Sequence, residues 1–335
     1  MTQSPTPPMP PMPPMPTAPP DRLPVHLIWE GVLAVIVVVL LVALFAVAPG
    51  GAFGATLANV VQQAGYTGLV AAGFALSLRA GAPNLAVGAL GVAAGAIGAH
   101  LVATAQWPVA AAMAVGVLAV TVIGAVIGLV AGALSVPAWA VTFGAAFVVL
   151  GTVLASSGPV LVPLRLGAPL PGAVWFVLFL LVSLGGAALW RVPAVRALAV
   201  RTDGDPGRWA GWRAALAVFA ALTGSSLLAA IGGVGLTLRL AASSPTAGDT
   251  LTLAAVAAVL LGGTSVFGRR AGIAGTVLGV LAVELVQTLL TLLNTQAAVI
   301  SLVTGLLLIA GLGVSRLLES VTNALGSPAA APRTT

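Results

Sequence analysis

The sequence predicts an all-α polytopic membrane protein of about ten transmembrane helices, with interrupted segments in two inverted-repeat-like halves. Hydrophobic residues make up 59% of the 335 residues and charged residues only 6%. No charged side chain occurs between Arg79 and Arg165, which membrane spans require and a water-soluble domain does not tolerate. Polar breaks interrupt some apolar segments, and a membrane tolerates such breaks only where the freed backbone faces protein or a water-filled cavity.

Composition excludes several classes of function. The chain has no lysine, so it lacks the Gly-Lys-Ser/Thr end of a phosphate-binding loop, and any ATP hydrolysis needs a partner. The absence of cysteine excludes disulfides and thiolate chemistry. Two histidines and few acids predict no metal site, no cofactor and no catalytic residue. The arginines lie beside apolar spans rather than in one patch, which argues against nucleic-acid binding.

The chain begins with a proline-rich segment. Residues 1–29 are expected to form a disordered or polyproline tail, because prolines in a Met-Pro-Pro rhythm bury nothing and donate no backbone hydrogen bond. A secretory signal carries a positive charge near its start, whereas the first arginine here, Arg22, lies late in the segment and beside Asp21. Residues 30–316 are predicted to form the transmembrane domain, and residues 317–335 a cytoplasmic C-terminal tail.

Ten hydrophobic segments follow the tail. They cover approximately residues 30–48, 57–78, 84–104, 108–131, 137–155, 171–190, 213–235, 251–263, 271–293 and 297–315. With both termini in the cytoplasm, this count leaves only Arg165 and Arg239 of the thirteen arginines outside. The bias agrees with the positive-inside rule, so the sequence predicts cytoplasmic N- and C-termini.

Glycines at four-residue spacing predict close helix crossings. The spaced sets are Gly91 and Gly95; Gly124, Gly128 and Gly132; and Gly275 and Gly279. Membrane helices associate through close backbone approach, so these glycines are expected where helices of one subunit cross. A seam between two copies of the chain is the alternative.

Two polar breaks are candidates for a substrate pathway. The first runs from Arg79 through Asn84 to Gly88, and the second covers residues 262–272, beginning Gly262-Gly263-Thr264-Ser265. Broken segments in two halves of a transporter point to a route between them. The alternative for Asn84 is that it only caps the following helix.

The second break also carries a family resemblance. Its string LGGTSVFG, followed by residues 275–279 reading GTVLG, resembles the permease subunits of bacterial ABC importers for ribose and other simple sugars. The larger family includes nucleoside and branched-chain amino acid permeases. In the sugar permeases the first break usually reads Asp-Leu-Ser-Val-Gly, where this chain has Asn84-Leu85-Ala86-Val87-Gly88.

The hydrophilic loop at residues 191–213 is the candidate for coupling. Its tryptophans, Trp209 and Trp212, are three residues apart and would share one helical face, either to seat in a groove of a soluble partner or to anchor the span at the interface. The resemblance implies docking on an ATPase subunit. It assigns that contact to Asp205, Pro206, Arg208, Trp209, Gly211 and Trp212.

One acid is expected deep in the membrane. Glu284 lies within the ninth segment with Gln287 nearly one turn on, and a charge at that depth is costly, so it should face the interior, be protonated or pair with a polar group. A gradient-driven secondary carrier that uses Glu284 is therefore a rival function. Against it, one acid without a second acid or a membrane histidine makes a poor proton relay.

These features together predict the permease subunit of an ATP-driven ABC importer in the bacterial cytoplasmic (inner) membrane. The resemblance implies an ABC ATPase subunit, a second permease subunit and an extracytoplasmic solute-binding protein as partners, with a simple sugar as solute. A nucleoside or a branched-chain amino acid is the alternative within the family. The predicted pathway residues are Asn84, Gly88, Gly262, Gly263, Thr264, Ser265 and Gln287; Gln62 and Gln63 are further hydrogen-bonding groups. Such a lining suits an uncharged solute.

Overall fold

The computed structural model describes residues 23–157, 162–163, 171–192, 211–244, 246–265 and 272–326. These residues form ten helices. They are α1 (Leu23–Val47), α2 (Phe53–Arg79), α3 (Val87–Ala105), α4 (Val109–Leu134), α5 (Ala138–Ser157), α6 (Gly172–Arg191), α7 (Trp212–Leu240), α8 (Ala247–Leu261), α9 (Ile273–Leu292) and α10 (Ala297–Gly326). Each helix coincides with one of the ten predicted segments, and the predicted all-α fold class is confirmed.

Eight of these ten helices are long and apolar enough to cross a membrane. The exceptions are α2, which is long enough but carries Gln62 and Gln63, and α8, which has only 15 residues. About 20 apolar residues are needed to span the hydrocarbon core, so α8 by itself is too short. Two helices also run past the predicted domain bounds: α1 starts at Leu23 and α10 continues to Gly326, because a helix need not end at the membrane surface.

A two-stranded antiparallel pair joins two connections at one end of the bundle. Strand β1 (Val162–Pro163) lies between α5 and α6, and β2 (Ala242–Ser243) lies between α7 and α8. Val162 pairs with Ser243. The strand pair lies at the end of the bundle where α7 stops and the chain turns back towards α8.

Helix α7 is the centre of the bundle and packs against α2, α3 and α4. Its close contacts depend on glycine, as predicted. A Cβ added at Gly91 of α3 would lie 2.9 Å from the carbonyl oxygen of Ala229, and one added at Gly128 of α4 would lie 3.0 Å from the Cα of Phe219. The predicted glycines therefore lie where helices of this chain cross, which is the way membrane helices gain packing contacts.

The other predicted glycine pair closes the α8–α9 contact. A Cβ at Gly275 would overlap the carbonyl group of Gly262, and a Cβ at Gly279 would overlap that of Ala258. The order of these contacts shows that α8 and α9 run antiparallel. The described residues of the second polar break, 262–265 and Gly272, thus lie at the ends of two closely packed helices.

Helix α3 begins deep in the bundle, at the level of the middle of α7. Asn84, just before α3, contacts Ser225 near the midpoint of α7, and Gly95 farther along α3 packs against Thr237 near the end of α7. Helix α3 therefore runs parallel to α7 and covers mainly the half of the bundle in which α7 ends.

Helix α8 begins at the same level and runs the opposite way. Its Gly248 packs against Ala89 at the start of α3, whereas the carbonyl oxygen of Leu261 accepts a hydrogen bond from the indole of Trp29 in α1, at 2.8 Å. Because α1 leads through a short turn into α2, and α2 runs antiparallel to α7, Trp29 lies at the end where α7 begins. Helices α3 and α8 thus extend from a shared middle towards opposite ends of the bundle.

Candidate functional site

Helices α3 and α8 meet through their N-terminal turns. The backbone N–H of Gly88 donates a hydrogen bond to the hydroxyl of Thr252, at 3.1 Å. A side chain at Gly88 would overlap the carbonyl oxygen of Gly248, so only glycine allows this approach. The breaks that meet in space are therefore those that precede α3 and α8, at residues 80–86 and at the described residues 241–244 and 246. This is the geometry of paired half-helices in transporters.

Asn84 links the first break to α7 by a hydrogen bond. Its side-chain amide donates to the hydroxyl of Ser225 at 3.1 Å, and its Oδ1 accepts from the backbone N–H of Ala86 at 3.0 Å. Its own backbone N–H donates to the hydroxyl of Ser77 at 3.1 Å. Asn84 is almost fully buried. Its polar groups hold the turn before α3, beyond the local capping role considered as an alternative.

The predicted residues of the second break lie elsewhere. Gly262, Gly263, Thr264 and Ser265 follow α8, at the end of the bundle where α7 begins. Thr264 and Ser265 are fully buried, and the Ser265 hydroxyl donates to Glu319 of α10 at 2.7 Å. The structure therefore does not bring this group together with Asn84 and Gly88, because the whole length of α8 separates them.

Trp29 also contacts the residues that follow α8, and its contribution to stability can be measured. Gly263 has a φ of +78°, and a Cβ there would lie 3.0 Å from Cδ1 of Trp29. Replacing Trp29 by Phe removes the hydrogen bond to Leu261 but keeps most of the apolar packing. We expect a loss of stability of about 0.5–1.5 kcal/mol, seen as a lower unfolding temperature in detergent. Trp107→Phe is the control, since Trp107 is 44% exposed; an equal loss there would contradict the assignment.

Gln287 lies in a cavity of about 190 Å³ that is walled by α2, α7, α8, α9 and α10. Its side-chain amide donates to the hydroxyl of Thr304 in α10 at 3.1 Å. Glu284, nearly one turn before it, lines the same cavity and is only 1% exposed. The expectation that Glu284 faces the interior is confirmed.

The opposite wall of the cavity comes from α2. Gln63, Tyr66 and Thr67 line it. The guanidinium of Arg239, in the last turn of α7, donates to Oε1 of Gln63 at 2.7 Å and to the hydroxyl of Tyr66. The sequence analysis placed Arg239 only on the side opposite the cytoplasm; the structure shows it in this polar cluster.

The sequence analysis missed Tyr66 and Thr67 as cavity residues. A usable signal existed, because Tyr66 is the only tyrosine of the chain and lies three residues after Gln63, on the same face of α2. The contact with Arg239 could not be inferred in this way, since the two residues are far apart in sequence.

Comparison with known proteins places this fold in a family. The family described as branched-chain amino acid transport system / permease component matches residues 56–312. The chain belongs to this permease family. The matched range runs from α2 into α10 and so includes the α3–α8 junction and the cavity.

Individual relatives match shorter parts of this permease. The ribose import permease protein of Bacillus subtilis (strain 168) is 45% identical over 73 residues, which are 22% of this chain and 23% of that protein. The fructose import permease protein of Rhizobium meliloti is 32% identical over 123 residues, or 37% and 34%. A probable ABC transporter permease protein of Sinorhizobium fredii (strain NBRC 101917 / NGR234) is 29% identical over 160 residues, or 47% and 48%.

The matches to these curated relatives therefore span between a quarter and a half of their length. No solved structure matches this permease.

The structure describes only some residues of the predicted coupling site. Asp205, Pro206, Arg208 and Trp209 lie outside the described residues. Gly211, with a φ of +85°, immediately precedes α7. Trp212, the first residue of α7, is 71% exposed, and the Arg213 guanidinium lies 5.7 Å from the centroid of its ring. Such an exposed aromatic with a stacked cation suits either a partner contact or a membrane interface.

Proposed function

We propose that this chain is the membrane-spanning permease subunit of an ATP-driven ABC importer that carries a simple sugar. The observation that supports this most is the polar cavity inside a permease-family bundle. It is lined by hydroxyl, amide and carboxyl groups beside apolar side chains, which suits a small polar solute. The names of the relatives, ribose and fructose import permeases, favour a sugar over the family's other solutes.

The proposal includes separate partners. Since the chain has no lysine for a phosphate-binding loop, ATP hydrolysis belongs to an ATPase subunit, which would dock at residues 191–213. The exposed Trp212 beside Arg213 would form part of that contact. A second permease subunit would complete the passage, and an extracytoplasmic binding protein would deliver the solute.

Placement in the membrane follows from the same features. The apolar helices and the permease family support a multi-pass protein of the bacterial inner membrane. The arginine distribution supports cytoplasmic N- and C-termini. Closure of the ATPases would then move the docked loop and α7, the helix that follows it, and α7 packs against α3.

The test is purification of the tagged chain from its native membrane in mild detergent, followed by uptake assays of the complex in liposomes. We expect an ATPase with a phosphate-binding loop to copurify. Uptake should require ATP and stop when the lysine of that loop in the ATPase is replaced by alanine.

Gradient-driven transport without an ATPase is the result that would contradict the proposed function. If the chain purifies without any ATPase and transports in response to an ion gradient alone, it is a secondary carrier and the proposed function is wrong. A Glu284→Gln variant that abolishes only the gradient-driven transport would then identify the coupling group.

A further inference from the structure

We propose that the cavity beside Glu284 is a binding site for one monosaccharide, contained within a single permease subunit. This inference rests on the proposed function, which supplies the solute class. Of the predicted pathway residues only Gln287 lines the cavity; the residues at the two breaks do not.

The first argument is an unsatisfied acceptor. Glu284 is buried and lines the cavity, and its Oε2 has no hydrogen-bond partner. A buried polar atom without a partner costs about 1–3 kcal/mol, and more when the group is charged. A donor hydroxyl group of a solute bound in the cavity, which Glu284 lines, would lie beside this carboxyl group and could satisfy it.

The second argument is charge. Arg239 is bonded to Gln63 and Tyr66 and interacts electrostatically with Glu284. The Arg239 guanidinium is thus engaged by neutral side chains. A neutral ligand needs no counter-charge in surroundings of low dielectric constant, whereas an ion does.

The third argument is the lining itself. The amide of Gln287 and the hydroxyls of Thr67 and Thr304 can exchange hydrogen bonds with hydroxyl groups that both donate and accept. Leu236, Leu251 and other apolar residues cover the rest of the wall, and they suit the C–H faces of a sugar ring. The volume of about 190 Å³ is below the roughly 300–1,000 Å³ of pockets for drug-sized ligands, so it suits a smaller molecule.

The experiment measures sugar binding to the purified importer in lipid nanodiscs. Tritiated D-ribose, D-fructose, D-glucose and myo-inositol are the probes, and the binding protein is omitted so that only the membrane part contributes. We expect saturable binding of at least one monosaccharide. Glu284→Gln and Gln287→Leu should each weaken that binding at least tenfold.

Gln296→Leu is the matched control, because Gln296 is exposed in the turn before α10 and does not line the cavity. It should bind as the unchanged chain does. The unfolding temperature of each variant shows whether it is folded. A second cavity variant, Thr304→Ser, keeps the hydroxyl and should retain binding, which a general loss of structure would not allow.

The outcomes separate this inference from the proposed function. If no probe binds, or if folded Glu284→Gln and Gln287→Leu proteins bind as tightly as the unchanged chain, the cavity is not the sugar site, even where ATP-dependent uptake persists. Sugar binding that responds to both variants in a chain without an ATPase partner would support the cavity and overturn the importer.

Discussion

Gly233→Val is expected to leave little folded protein. Gly233 of α7 lies against Gly91 of α3, and a Cβ at Gly233 would overlap the backbone carbonyl group of Gly91. A helix backbone cannot move aside as a flexible side chain can, so α3 and α7 would have to separate along their crossing. Overpacking costs typically 1–3 kcal/mol, and we expect about 3 kcal/mol here. The measurement is the yield and unfolding temperature of the monodisperse protein in detergent.

The control for this prediction is Gly151→Val. Gly151 is also in the interior of a helix, α5, but a Cβ there would meet nothing within 4 Å. We expect a change within about 0.5 kcal/mol, as for other surface substitutions. Equal yields of the Gly233→Val and Gly151→Val proteins would show that the α3–α7 crossing is not as close as described.

Asn84→Ala is expected to destabilise the protein by about 1–3 kcal/mol, because it leaves buried groups without partners. The hydroxyl of Ser225 and the backbone N–H of Ala86 would each lose the bond that Asn84 now makes. Since these bonds hold the turn before α3, the variant should also lower the rate of ATP-dependent uptake. Both effects are measured on the purified complex, as unfolding temperature and as initial uptake rate.

Asn59→Ala is the matched control for Asn84. Asn59 is exposed near the start of α2, so the same substitution removes no buried contact. We expect its stability and uptake to match those of the unchanged chain. If Asn84→Ala behaves in the same way, the turn before α3 is held by other groups.

Much of the fold could be predicted because the membrane imposes simple rules on a sequence. Ten apolar segments became ten helices, and the glycines at four-residue spacing lie at helix crossings. Glu284 was expected to face the interior because a charge facing lipid is costly, and it lies in the cavity. These inferences need only local composition and periodicity.

The pairing of the breaks could not be predicted in this way. The sequence offered residues 262–272 as the counterpart of residues 79–88, because both are polar interruptions of apolar segments. In the structure the counterpart is the connection before α8, described at residues 241–244 and 246, since α8 meets the start of α3 where Gly88 bonds Thr252. Composition reveals that a segment is broken, but the depth at which a helix starts depends on its contacts with the helices around it.

The sequence by itself determined the class of protein and the positions of the ten helices that the structure describes, because these depend on hydropathy. Only the tertiary structure decided which polar residues share a cavity. Gln63, Arg239 and Glu284 come from α2, α7 and α9, and they are brought together by glycine-mediated packing of helices distant in sequence. No local pattern encodes that distance, because it is set by how closely the helices between them can approach.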